Sequence, residues 1–163
     1  MPTVRKNSDI VKGSALQVKI GNDDILGFAT SHSLSITVNT TEVSSKDHGD
    51  YPGVIKQNTT WEVTCENLFC GENWGNLNAY LDDDTPVTVE FVPVNYISKG
   101  IVYDNDVPSG AQTSWTAGTA IASGPAYLTS LSLNAGAGDN ATVSATFTGA
   151  GPLTFANYVD PNA

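Results

Sequence analysis

The amino-acid sequence predicts a mainly β (α+β) fold, an antiparallel sandwich or barrel with one packed α-helix and long loops. Three observations predict it. Segments 32–40, 60–66, 87–91 and 141–148 alternate apolar and polar residues with the two-residue period of a strand that buries one face. Runs rich in glycine and asparagine, above all Ala-Gly-Ala-Gly-Asp-Asn at 135–140, stand where antiparallel partners must reverse. One stretch only, residues 72–81, spaces its apolar side chains as a helix does.

In chain order, residues 1–13 show no periodicity and carry Pro2 and Gly13, so they read as an N-terminal arm ahead of a single β domain over 14–163. Leu16, Val18 and Ile20 alternate with Gln17 and Lys19 as a first strand. Residues 21–24, Gly-Asn-Asp-Asp, form a turn, and 25–29 return as its partner. In 32–40, Leu34, Ile36 and Val38 lie on one side and Ser33, Ser35, Thr37 and Asn39 on the other. In 60–66, Trp61, Val63 and Cys65 oppose Thr60, Glu62, Thr64 and Glu66. Between these two strands, residues 41–58 read as a long connection. Such a connection is either a flexible surface loop or a contact arm that folds against a neighbouring subunit.

The helix over 72–81 places Trp74, Leu77 and Leu81 at i, i+3 and i+7, with Trp74 as the expected anchor. Asp82, Asp83, Asp84, Thr85 and Pro86 end it, and carboxylates there oppose the helix dipole. Val87, Val89 and Phe91 oppose Thr88 and Glu90 in the next strand. Residues 95–124 read as an excursion with short strand character at 101–103 and one weak strand near 117–122. The closing hairpin, 126–149, sets Leu131 and Leu133 against Ser130, Ser132 and Asn134. After its turn, Ala141, Val143, Ala145 and Phe147 oppose Thr142, Ser144, Thr146 and Thr148. The recurring outer face holds hydroxyls, amides and carboxylates.

At 163 residues the chain is one domain large enough to bury a core. A mean hydropathy of -0.13 suits a soluble protein. No apolar run approaches a membrane span, so no membrane partner is expected. The basic start lacks an apolar run after it and does not read as a secretory signal, which leads us to expect synthesis or assembly in the cytoplasm. A net charge of -10, from 17 acids against 7 bases, argues against a protein that grips nucleic acid by its phosphates.

Chemical motifs are sparse. His32 and His48 are the only histidines, and no nucleophile elbow accompanies them. Asp47, His48 and Asp50 lack a second cluster to complete a metal site. Asp104 and Asp106 begin like a calcium loop, but Pro108 stands at a ligand position and Trp115 at the twelfth. Cys65 falls on the apolar side of its strand and reads as a buried thiol, with Cys70 too close to staple much. No catalytic residue, cofactor or metal is expected.

The order ATSHSLSI, the SSKDHG loop, TTWEVTCENL, a helix with Trp74 and Leu77, PVTVEF, then LTSLSLNA and ATVSATFTG resembles the tail tube (major tail) proteins of long-tailed bacteriophages. The resemblance covers residues 13–154. It implies a structural virion protein of the tail, assembled in the host bacterial cytoplasm as hexameric rings. Those rings would stack into a tube whose lumen conducts DNA without binding it specifically. It also implies other tail proteins, the tape measure and the terminator, as partners.

Under that resemblance Ser33, Ser35, Thr37, Thr142, Ser144 and Thr146 are the lumen candidates. Lys46, Asp47, His48, Asp50 and Tyr51 are the inter-subunit contact candidates. A wall of neutral and acidic groups lets a polyanion pass, because it offers no cations to hold phosphates. The alternative from another class is a β-sandwich carbohydrate-binding module for surface attachment. That reading requires aromatics exposed on a flat face, where Trp61 and Trp74 read as interior and only Trp115 is free.

Overall fold

Each alternating segment becomes a strand because its apolar side finds a common core. The computed structural model describes residues 16–21, 24–25, 29–69, 71–96, 103–104, 107–108 and 115–157. β1 (Leu16–Ile20) reverses through Gly21, at φ 68°, into β2 (Asp24–Ile25). β3 (Ala29–Val43) and β4 (Gly53–Leu68) pair as a long antiparallel hairpin. α1 (Gly71–Leu81) follows, then β5 (Val87–Tyr96). β6 (Tyr103–Asp104) and β7 (Val107–Pro108) form a small ladder of their own. β8 (Trp115–Ala117), β9 (Ala122–Asn134), β10 (Thr142–Gly149) and β11 (Thr154–Phe155) complete the chain.

The main sheet runs β2-β1-β5-β9-β10-β4-β3, with β8 added on β5 and β11 on β9, and all its pairings are antiparallel. β1 and β3 stand far apart in that order yet come into contact, so the sheet curls over its own apolar face. That face carries Val18, Ile20, Val63, Cys65, Val89, Ala126, Leu128, Val143, Ala145 and Phe147, all buried. α1 packs against β9 and adds Leu77 to the same core. The predicted class, mainly β with one packed helix, is the observed one.

Trp61 is the largest member of the core and is seated in a slot of glycines. Its indole nitrogen donates to the Gly151 carbonyl at 2.8 Å. A Cβ on Gly149 would overlap the indole ring, and one on Gly124 would lie 2.8 Å from it. These two positions therefore require a residue with no side chain. We expect Gly149→Ala to destabilise the domain by about 1–3 kcal/mol, the usual cost of forcing extra atoms into a packed core. Denaturant unfolding of the variant beside the parent measures it.

Several expectations are corrected. The stretch 41–58 is not a long loop: β3 continues to Val43 and β4 starts at Gly53, with Thr40 paired to Lys56 and Val43 to Gly53. Backbone pairing there needs no core, so hydropathy does not reveal it. On α1, Leu77 rather than Trp74 is the buried anchor. Trp74 is half-buried beside Phe69, their ring centroids 6.1 Å apart, and Leu81 stays 40% exposed. The weak strand near 117–122 is instead the end of β8 and the start of β9, separated by residues 118–121. β9 also starts earlier than the hairpin read from the sequence, running through Gly124 and Pro125, because Gly124 is needed beneath Trp61. Residues 1–13, Cys70 and residues 101–102 lie outside the described residues.

The acidic end of α1 is held by a local turn. Thr85 donates to Asp83 Oδ1 from both its amide, at 3.0 Å, and its hydroxyl, at 2.8 Å. Those hydrogen bonds hold the Asp83 carboxyl below the usual carboxylate range.

Candidate functional site

The side of the sheet opposite the core carries the hydroxyl residues in register across four strands. Ser31, Glu66, Ser144 and Ser132 form one row, and Ser33, Thr64, Thr146 and Ser130 the next. Ser35, Glu62, Thr148 and Tyr127 form a third, with Thr37 and Thr60 paired beyond them. Neighbouring strands lie about 4.8 Å apart and successive rows about 6.6 Å apart, so the face is a grid of short polar side chains. A bulge between Thr146 and Phe147 adds one more hydroxyl. Thr129 Oγ1 lies 2.9 Å from Thr148 Oγ1 and 3.3 Å from the Thr146 carbonyl.

All six lumen candidates stand on this one face. Ser33, Ser35 and Thr37 are exposed, while Thr142, Ser144 and Thr146 are half-buried between neighbouring strands. The grid holds carboxylates at Glu62 and Glu66 and no lysine or arginine in any of its rows. Lys19 lies farther along the sheet, on β1, paired in register with Glu90. Ser31, Thr129 and Tyr127 belong to the face but were not legible as members. The signal for them lies in cross-strand register, which a single sequence does not carry.

The far half of the β3–β4 hairpin projects away from the core. Trp61 is the last buried residue on β4, and residues 54–60 beyond it are all exposed. At about 3.3 Å per residue, the ribbon from 53 to 60 extends roughly 25 Å. Its Ile36, Val38, Val43, Val54 and Ile55 are 40–60% exposed, although Ile36 and Val38 continue the apolar side of β3. A bulge between Val38 and Thr40 marks the root, where Asn39 Nδ2 donates to Asn58 Oδ1 at 3.0 Å.

The tip is a built turn. Residues Lys46–His48 make one 3-10 turn capped by Ser45, whose side chain accepts from the Asp47 amide while His48 Nδ1 accepts from the Ser45 amide. Gly49, at φ 67°, closes it. A side chain at Gly53 would strike both the His48 ring and the Val43 carbonyl. The five contact candidates therefore sit together at one exposed end, with Tyr51 84% exposed. His48 Nδ1 is engaged by Ser45, and no group of three His, Cys, Asp or Glu converges among the described residues.

Burial pushes the Cys65 thiol up to about 12 and leaves it protonated. Trp61 is 4% exposed and Trp74 half-buried, so neither supplies a flat aromatic platform for a sugar.

The family described as phage tail tube protein matches residues 12–155, which spans the whole curled sheet and the projecting hairpin. The chain belongs to the phage tail tube protein family. Two solved structures share the fold of this tail tube protein. One is the tail of an empty gene transfer agent particle, computed with helical refinement and C6 symmetry. It has a TM-score of 0.65 and 14% identity, over 91% of this chain and 100% of that one. The other is the virion of a native gene transfer agent particle, with a TM-score of 0.65 and 15% identity over the same shares. No curated protein sequence matches. The tail tube protein is thus a structural component of the virion tail.

Proposed function

We propose that copies of this protein close into hexameric rings, that the rings stack into a tube, and that the hydroxyl face lines the lumen through which DNA leaves the virion. The observation that carries the reading is the grid itself. Four strands present serine, threonine and glutamate to one side, a surface that repels a polyanion mildly and releases no counterions to it. The C6 symmetry of the gene transfer agent tail that shares this fold supports six copies per ring.

The sheet also has edges suited to closure. Among the described residues, β3 has no strand beyond it, and β5 covers β9 over residues 122–126, leaving 127–134 open on that side. β3 of one copy set against the open half of β9 in the next is a head-to-tail contact, which closes a ring if the rotation is right. It also removes two edges that would otherwise template aggregation. The exposed arm and its capped tip reach the adjacent ring. Assembly takes place in the host cytoplasm, with the tape measure and terminator proteins as the tube's other partners.

Cations placed on the grid test the lumen reading. We expect Thr64→Lys and Glu62→Lys tubes to assemble but to retain short double-stranded DNA at low salt, where parent tubes retain none. That retention should weaken steeply as salt rises, since each phosphate contact releases a counterion. Tubes that ignore both substitutions would place the grid outside the bore.

A further inference from the structure

His32 is a core-side residue of β3 that the tube reading does not use. It pairs in register with Cys65, and both its ring nitrogens are buried without a hydrogen-bond partner. Burial alone lowers its pKa from 6.5 to about 4, so the ring is neutral at pH 7. Among the described residues, the strand holding it is paired on one side only. Its register shifts between Ala29 and Ser31, immediately before His32, and the nearby side-chain tie is Thr30 Oγ1 donating to the Glu66 carbonyl at 3.0 Å.

We propose that His32 is an acid-sensitive latch. Uncharged, its ring seats the amino-terminal half of β3 against Cys65; protonated, it meets no counter-charge among the described residues of the core side and draws the strand out to water. Among the described residues, the titratable groups packed on that side are the Cys65 thiol of β4, which burial keeps protonated, and the Tyr80 phenol of α1. From β1, β5, β9 and β10 the residues that join the core are Val18, Ile20, Val89, Ala126, Leu128, Val143, Ala145 and Phe147, all apolar. Glu62 and Glu66 of β4 lie on the opposite face, across the sheet.

The sign follows from linkage. A histidine whose folded pKa lies below its unfolded value contributes stability that is complete above pH 6.5 and is lost as pH falls from 6.5 towards 4. The effect belongs to a single copy and does not rest on ring formation.

Amide hydrogen exchange over residues 30–36 of the full chain, corrected for the intrinsic rate, tests it. Between pH 7.5 and pH 5 the opening constant should rise about thirtyfold in the parent and in His48→Asn, and stay unchanged in His32→Leu. An unchanged parent, or a response lost in His48→Asn, overturns the latch. Should His32→Leu fail to fold, proton NMR titration of the parent decides the matter. A His32 ring midpoint near 4 upholds the latch, and one near 6.5 overturns it.

Discussion

Trp61→Ala should cost about 3–5 kcal/mol, the range for deleting a fully buried large aromatic side chain. For a domain stabilised by roughly 5–15 kcal/mol, that is enough to leave a large unfolded fraction at 37 °C. The size of the effect comes from three losses together. The indole leaves a void in the middle of the core, the Gly151 carbonyl loses its donor, and the glycine slot at 124 and 149 is left with nothing to fill it. Trp61→Phe should separate them, since it keeps most of the ring and removes only the hydrogen bond. We expect it to cost about 1–2 kcal/mol. Urea unfolding followed by circular dichroism measures both, and equal losses for the two variants would mean that packing contributes little.

Removing the arm should have the opposite signature, leaving the fold intact while abolishing assembly. Val38 and Thr59 are Cα partners on β3 and β4, so an Asn-Gly turn can join them and delete residues 39–58 without altering the register below. Every deleted residue is exposed except Gly53, which is half-buried at the tip. The variant should therefore match the parent's unfolding free energy within about 1 kcal/mol. In light scattering the parent should form long particles on concentration, while the shortened protein should stop at single rings or monomers. A shortened protein that still forms tubes would remove the arm from the stacking contact.

What the sequence made legible follows the burial of one strand face. The alternation of Leu34, Trp61, Val63, Cys65, Val143, Ala145 and Phe147 with hydroxyl residues marks strands that cover a core, and those strands stand where the pattern places them. The turn through Gly138, at φ 85°, was equally readable. The outer half of the β3–β4 hairpin was not, because its pairing is satisfied by backbone alone and both its faces meet water. The first half of β9 was hidden by Gly124 and Pro125, residues that argue against a strand until Trp61 is seen lying on the glycine. Helical spacing located α1 but ranked its residues wrongly, since which of Trp74, Leu77 and Leu81 is buried depends on the angle at which the helix meets β9. The polar character of the face was read directly from residue types. Its assembly into one grid was not, because β4 lies between β3 and β10 through pairings distant in the chain.

Electron microscopy of the concentrated protein is the most direct test of the central claim. We predict sixfold rings stacked into hollow tubes, with Ser33, Thr64 and Thr146 directed into the bore. A protein that stays monomeric at every concentration, or a tube with that serine and threonine surface on its outside, would contradict it.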